Sequence, residues 1–303
     1  MIVNFMKQML SHLPMIRVLL NVLLFAVLAY IFMYLALSGY GVISMEVEEK
    51  ITVPSGETPA HPQQPPPYHP DVIIYESQRS PGNPMKIPHI LIAILVAFLI
   101  VYLAIKIGPK ALKALIGFSM YVAAVYTLRG ILHSLSVIYS FVMSLLLVAF
   151  ALCEVTPVEI KSIILAVVVG GIGALLGIMA YPILWIVILV ALVAYDVWGV
   201  YKGPMKRISE EAIKYDIPLL IKIRTGDEEH FIGLGDYALP MSFLASLMKY
   251  ESVYMSIVSF IGFIFGTILA LIIVRRKGPQ PGLLYIVPLG VLPYLILKLY
   301  MFS

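Results

Sequence analysis

The 303-residue sequence predicts an all-α membrane protein with nine transmembrane helices, its N-terminus inside and its C-terminus outside. Three observations predict it. Hydrophobic residues make up 61% of the chain and charged ones 13%, against about 45–50% and about 25% in ordinary soluble domains. The apolar residues fall into runs near the 20 or so that a bilayer-crossing helix needs. The basic residues gather at the ends of those runs, where a positive-inside bias is expressed.

The runs are Val18–Ile43, His89–Ile107, Ala111–Leu128, Leu135–Cys153, Ser162–Met179, Ile183–Gly199, Phe231–Met248, Ser252–Val274 and Leu283–Met301. Backbone amides in hydrocarbon must be satisfied within their own segment, so each run is expected to be helical. The first contains Asn21 and no small-residue cleavage signature, so it reads as a retained span. The third is short between Lys110, Lys113 and Arg129. Only Ala180, Tyr181 and Pro182 separate the fifth from the sixth, which requires a tight turn. Gly170, Gly171, Gly173 and Gly177 in the fifth run suggest a close-packing face. Trp185 and Trp198 stand at opposite ends of the sixth, as interfacial anchors would.

With the N-terminus inside, Lys7, Arg17, Lys106, Lys110, Lys113, Lys161, the bases of the 200–230 loop and Arg275–Lys277 all face inward, 15 of the 21 bases. The outer loop 44–88 carries seven prolines between Pro54 and Pro70, which exclude helix and favour polyproline geometry. The inner loop 200–230 holds six bases and six acids. Within it a short amphipathic helix from Ile208 and a strand-like run, Leu219–Arg224, are expected. The whole chain, 1–303, is read as one polytopic membrane domain with these two loops.

Two residues stand against the apolar pattern. Asp196 lies in VALVAYDVWG and Asp236 in FIGLGDYALP, and a carboxylate in a membrane segment is costly enough to mark function. Asp196 precedes Lys202 by six residues and Asp236 follows Phe231 by five. At 1.5 Å per residue both should lie about 5–8 Å inside the inner ends of consecutive spans. Facing carboxylates resist double ionisation and share a proton, so the pair offers a base and an acid together. One can take a proton from water as it attacks a carbonyl while the other donates to the carbonyl oxygen. That chemistry requires no metal or cofactor. Single Cys153 excludes an intrachain disulfide, and the six histidines show no ligand spacing. The bases form no patch of the size that nucleic acid requires.

Gly233 and Gly235 strip side-chain bulk from the approach to Asp236, allowing close packing or a close substrate backbone. Gly278–Leu283, with Pro279 and Pro281, is unfriendly to helix and opens the last run at the same depth as the acids. Tyr195, one residue from Asp196, reads as a wall or a local packing residue rather than a direct orienter of the acid, because neighbours i and i+1 do not share a helix face. A different class of protein uses buried acids too, the ion or proton-coupled channel or transporter. Few other ionisable groups in the runs and the lack of an evident inverted repeat count against it.

Tyr195-Asp196, Gly233-Leu234-Gly235-Asp236 and Pro281-Gly282-Leu283, in this order, resemble the presenilin and signal peptide peptidase family of intramembrane aspartyl proteases, particularly its archaeal members. The resemblance implies a presenilin-like fold and an aspartic endopeptidase of the GxGD type that cuts transmembrane helices within the membrane. Asp196 and Asp236 would be its catalytic pair. Tyr195, Gly233, Leu234, Gly235, Pro281, Gly282 and Leu283 would shape the site or receive substrate. The family normally has Pro-Ala-Leu where this chain has Pro281-Gly282-Leu283, so Gly282 is a departure. The implied partners are single-span membrane proteins or peptides as substrates, and membrane lipid. A homo-oligomer is allowed, and obligate partner subunits are not implied. The implied location is the cell membrane, with loop 200–230 cytoplasmic. Prepilin peptidases share a Gly-x-Gly-Asp, but the Pro281-Gly282-Leu283 element is foreign to them.

Overall fold

A computed structural model describes residues 2–42, scattered positions between 96 and 107, and residues 108–302 apart from 154, 202–219, 226–227 and 278–279. The chain divides into two compact units, residues 1–44 with 113–303, and residues 45–112. Eight helices and one hairpin are described. They are α1 (Ile2–Gly39), α2 (Pro109–Ile131), α3 (Val137–Leu152), α4 (Val158–Gly177), α5 (Pro182–Tyr201), β1 (Leu220–Thr225), β2 (Glu228–Gly233), α6 (Gly235–Tyr250), α7 (Val253–Lys277) and α8 (Leu283–Phe302). In residues 45–112 the described positions are helical on either side of Gly108, whose φ of 130° interrupts them ahead of Pro109.

The expectation of nine spans is corrected. Six of the eight described helices are long and apolar enough to cross a membrane: Val18–Gly39, Pro109–Ile131, Val158–Gly177, Pro182–Tyr201, Val253–Arg276 and Leu283–Tyr300. The run Leu135–Cys153 yields only the 16 residues of α3, because Leu135 and Ser136 go into the turn after α2. At 1.5 Å per residue that is about 24 Å, short of the roughly 30 Å of hydrocarbon. The run Phe231–Met248 fails for another reason. Its first three residues belong to β2, and α6 begins only at Gly235. The run His89–Ile107, the proline-rich loop 44–88 and the helix expected from Ile208 lie wholly or mostly outside the described residues. With six such helices among the described residues rather than nine spans, the alternation that put the N-terminus inside and the C-terminus outside no longer follows.

α4 is the hub of the larger unit, and glycine makes it so. A Cβ on Gly170 would meet the α1 backbone at Ala29 and Met33, 2.8 Å away; one on Gly171 would meet Ala123 O of α2 at 2.2 Å. On Gly173 it would meet Met241 Cβ of α6 at 2.6 Å, and on Gly177 Ser242 O at 2.4 Å. The four glycines therefore serve three neighbouring helices rather than one face. Small residues let backbones approach where lipid provides no hydrophobic drive for helix pairing. Thr127 of α2 seals the same contact, donating to Ala123 O and Val167 O at 3.0 Å each. Gly171→Ala is expected to cost about 1–3 kcal/mol through overpacking against fixed backbone. Thermal unfolding in detergent should show a drop of several degrees, and an unchanged midpoint would refute the close approach.

The tight turn between α4 and α5 is present, and α6 satisfies its carbonyls. Lys249 Nζ and Tyr250 Oη donate to Ile178 O at 3.0 Å, and Ser246 Oγ donates to Ala180 O at 2.7 Å. Pro182 starts α5, where its missing N–H removes no helical bond. At the far end of α6, Glu251 accepts from Tyr294 and Lys298 of α8, tying the two helices together. α7 and α8 pack through Gly262, Gly266 and Gly290, where added Cβ atoms would run into Leu289, Ile286 and Phe263. Trp185 is buried rather than interfacial, and Asn21 is exposed.

The strand-like run 219–224 is realised as β1, and its partner is β2, in antiparallel register from Leu220 opposite Gly233 to Thr225 opposite Glu228. Ile221 is almost wholly buried and anchors β1 on α1 and α4. The hairpin runs directly into Gly233-Leu234-Gly235-Asp236, so its anchorage fixes where α6 begins.

Candidate functional site

Three chain segments meet at one end of the bundle. Asp196 lies on α5, five residues before its last residue Tyr201, which is about 7.5 Å from the helix end. Asp236 occupies the first turn of α6. It was expected one and a half turns inside a helix beginning near Phe231. The strand β2 removes those turns, so the carboxylate stands at the helix mouth. There Tyr237 N–H and Ala238 N–H both turn back to Leu234 O, at 3.2 and 2.9 Å. An acid in the first turn suits the positive end of the helix dipole.

The start of α8 binds one acid and passes beside the other. Leu283 N–H donates to Asp196 Oδ2 at 3.1 Å. As the first residue of α8, its amide has no partner within its own helix, so the bond uses a donor that the fold leaves over. One residue earlier, a Cβ on Gly282 would come to 3.3 Å from Asp236 Oδ2. A Cβ on Gly233 would come to 3.4 Å from the same oxygen. The carboxylates of Asp196 and Asp236 are near enough to repel each other. Asp196 is 9% exposed and Asp236 half-buried, so the pair is enclosed without being sealed.

The other residues singled out from sequence divide. Pro281 is fully buried, and Leu234 and Leu283 are buried beside the acids. Gly235 is exposed, and a side chain there would meet nothing within 4 Å. Tyr195 is 44% exposed on the outer face of α5, its ring 5.9 Å from that of Trp198. The structure thus does not bring Tyr195 together with the other site residues. Sequence reasoning missed Tyr201 and Gln280, joined by a 2.7 Å hydrogen bond that ties the end of α5 to the segment before α8. It also missed Tyr237 and Thr267, which line a small cavity with Asp236. No local pattern flags these four, because Tyr201 and Gln280 come together from different elements, as do Tyr237 and Thr267.

No group of three or more His, Cys, Asp or Glu residues placed to hold a metal occurs among the described residues. What the arrangement offers is two carboxylates, one fixed by a backbone amide and the other flanked by two glycines, in a protein with several membrane-crossing helices.

Several helices long and apolar enough to cross a membrane define a multi-pass membrane protein. The fold is that of known intramembrane proteases. One solved structure of a presenilin family intramembrane aspartate protease superposes with a TM-score of 0.59 at 16% identity, covering 92% of this chain and 97% of that one. A second crystal form of a presenilin family intramembrane aspartate protease gives a TM-score of 0.51 at 21% identity over 69% of this chain and 82% of that one. No protein-family model matches the chain, and no curated protein matches it by sequence. The likeness is one of fold, carried by similarity of structure at low identity.

Proposed function

We propose that this protein is an intramembrane aspartyl endopeptidase that hydrolyses peptide bonds of transmembrane substrates with the pair Asp196 and Asp236. The observation that carries the reading is that one short segment lies beside both acids. Leu283 N–H binds Asp196, and Gly282 lies against Asp236. A helix start that binds one acid and runs beside the other suits a two-carboxylate mechanism better than a lone structural acid.

In the reaction, one carboxylate removes a proton from water as the water oxygen bonds to the scissile carbonyl carbon. The other gives its proton to the carbonyl oxygen, forming a neutral gem-diol. Collapse of the diol breaks the C–N bond: the departing nitrogen takes a proton from the carboxyl just formed, a diol hydroxyl gives its proton to the other carboxylate as the C=O re-forms, and a new acid and amine leave. The pair ends with one proton, as it began. A helical substrate must unwind for its carbonyl to reach the acids. The β1–β2 hairpin, two strands with outer edges, ends three residues before Asp236 and suits pairing with such an unwound segment. Single-span membrane proteins or peptides are the substrate class. The bases of loop 200–230 assign that loop to the cytoplasmic side.

The test is incubation of the purified protein, in detergent and in lipid, with a single-span peptide, followed by mass spectrometry of the products. Cleavage within the apolar stretch is the expected result. Ion or solute flux in liposomes without hydrolysis would replace this reading with a transport function.

A further inference from the structure

Beside Asp236 lies a second, smaller space. It is a cavity of about 20 Å3 between α1, α6, α7 and α8, lined by Val22, Ala26, Asp236, Tyr237, Phe263 and Thr267 among others. Among the described residues none from α5, the helix that carries Asp196, lines it. A space of roughly 10–15 Å3 suffices for one water, provided that the water finds two to four polar partners.

Three of the lining residues carry polar groups, and each group has capacity to spare. Tyr237 is 4% exposed, and its hydroxyl is buried with no hydrogen-bond partner among the described residues. An unsatisfied buried hydroxyl is costly, and a native site that keeps one calls for an explanation. The ring is not free to swing the hydroxyl elsewhere, because Phe25 packs edge-on against it at 5.1 Å and 66°. The Thr267 hydroxyl donates its hydrogen to Phe263 O at 2.9 Å, which leaves its oxygen able to accept. Asp236 offers acceptor oxygens, and its charge acts on the Tyr237 hydroxyl without a direct hydrogen bond between them.

We propose that this cavity is a binding site for one resident water, which accepts from Tyr237 and donates to Asp236 and Thr267. The three hydrogen bonds are the usual complement of a buried water. The role assigned to it, positioning Asp236, rests on the proteolytic reading above; the water site itself does not. Gly233 and Gly282 put no side chain against the carboxylate from the chain segments on either side of it in sequence. A side chain so little walled in needs a fixed partner, and the water provides one through Tyr237. Tyr237 and Thr267 are then positioning residues that act through the water, distinct from the water consumed in the reaction.

The test uses the full-length protein as Tyr237→Phe, Thr267→Val, the double variant and Ser140→Ala, whose buried hydroxyl lies in α3 away from the site. Tyr237→Phe should lower kcat about three- to tenfold, the worth of one hydrogen bond, with KM within about twofold and the unfolding midpoint retained. Thr267→Val should act in the same direction. The double variant should be no worse than the more damaged single, because both remove the same water. Ser140→Ala should behave as wild type. Independently of activity, the infrared band lost in Asp236→Asn should shift in Tyr237→Phe. An unmoved band, multiplying effects, or a loss that only follows a fall in unfolding midpoint would overturn the proposal. If the wild-type protein cleaves nothing, the proteolytic reading fails, and the infrared band alone decides the water site.

Discussion

Asparagine in place of either Asp196 or Asp236 is expected to reduce peptide hydrolysis at least about a thousandfold, since each change removes a proton-transfer group that the other cannot replace. The substitution is nearly isosteric, so the loss should not come from unfolding. In Asp196→Asn the side-chain amide oxygen can still accept from Leu283 N–H, the bond now made by Asp196 Oδ2 at 3.1 Å. The mutual repulsion of the two carboxylates disappears in either variant. The unfolding midpoint should therefore hold or rise while cleavage vanishes, a combination opposite to that of a structural pair. The measurement is product formation from a single-span peptide beside thermal unfolding of the same preparations. Appreciable cleavage by either single variant would sink the shared-proton mechanism. Removal of both acids should be no worse than removal of one, because the pair acts as a unit.

How much of this was legible in the sequence depends on which forces are local. The long apolar runs became helices because nothing else satisfies their backbones, and six hold their expected places within a few residues. Phe231-Ile232-Gly233 went wrong because a three-residue apolar run has no helical period of its own. It was assigned to the helix that follows, whereas backbone pairing with Ile221 and Lys222 draws it into a strand. That error also put Asp236 too far inside its helix, which begins only at Gly235. The identity of the two acids was legible, since a carboxylate in an apolar run is rare and costly. The contacts that orient them were not. Leu283 acts through its amide, which every residue but proline carries, so no side-chain pattern announces it. Tyr237 and Thr267 lie thirty positions apart on different helices, and only the packing of α6 on α7 makes them neighbours. Tyr195 shows the converse: adjacency in sequence to Asp196 placed it on the opposite, exposed face of α5.

Replacement of Gly282 should have the second largest effect, because that residue lies between the Leu283 amide that binds Asp196 and the space beside Asp236. Neither Gly233 nor Gly282 has a backbone conformation that demands glycine, so alanine at either position tests space alone. At Gly282 the new methyl would sit 3.3 Å from Asp236 Oδ2 and 3.6 Å from its carboxyl carbon. That is tight enough to push the carboxylate by a few tenths of an ångström. Gly282→Ala should lower kcat about three- to tenfold with little change in KM. Gly282→Val, whose branches reach further, should cost about a hundredfold, as a displacement near 1 Å in a catalytic group does. Gly233→Ala presses on the same oxygen from a different chain segment, at 3.4 Å. A carboxylate pushed by one methyl escapes into the room left by the other glycine, and in the double alanine variant that room is gone. The Gly233→Ala/Gly282→Ala protein should therefore lose more activity than the product of the two single losses. Single-turnover cleavage by all three variants decides the matter. Losses that simply multiply would show that the two glycines do not share one carboxylate, and the cleft would have to be redrawn around Asp236.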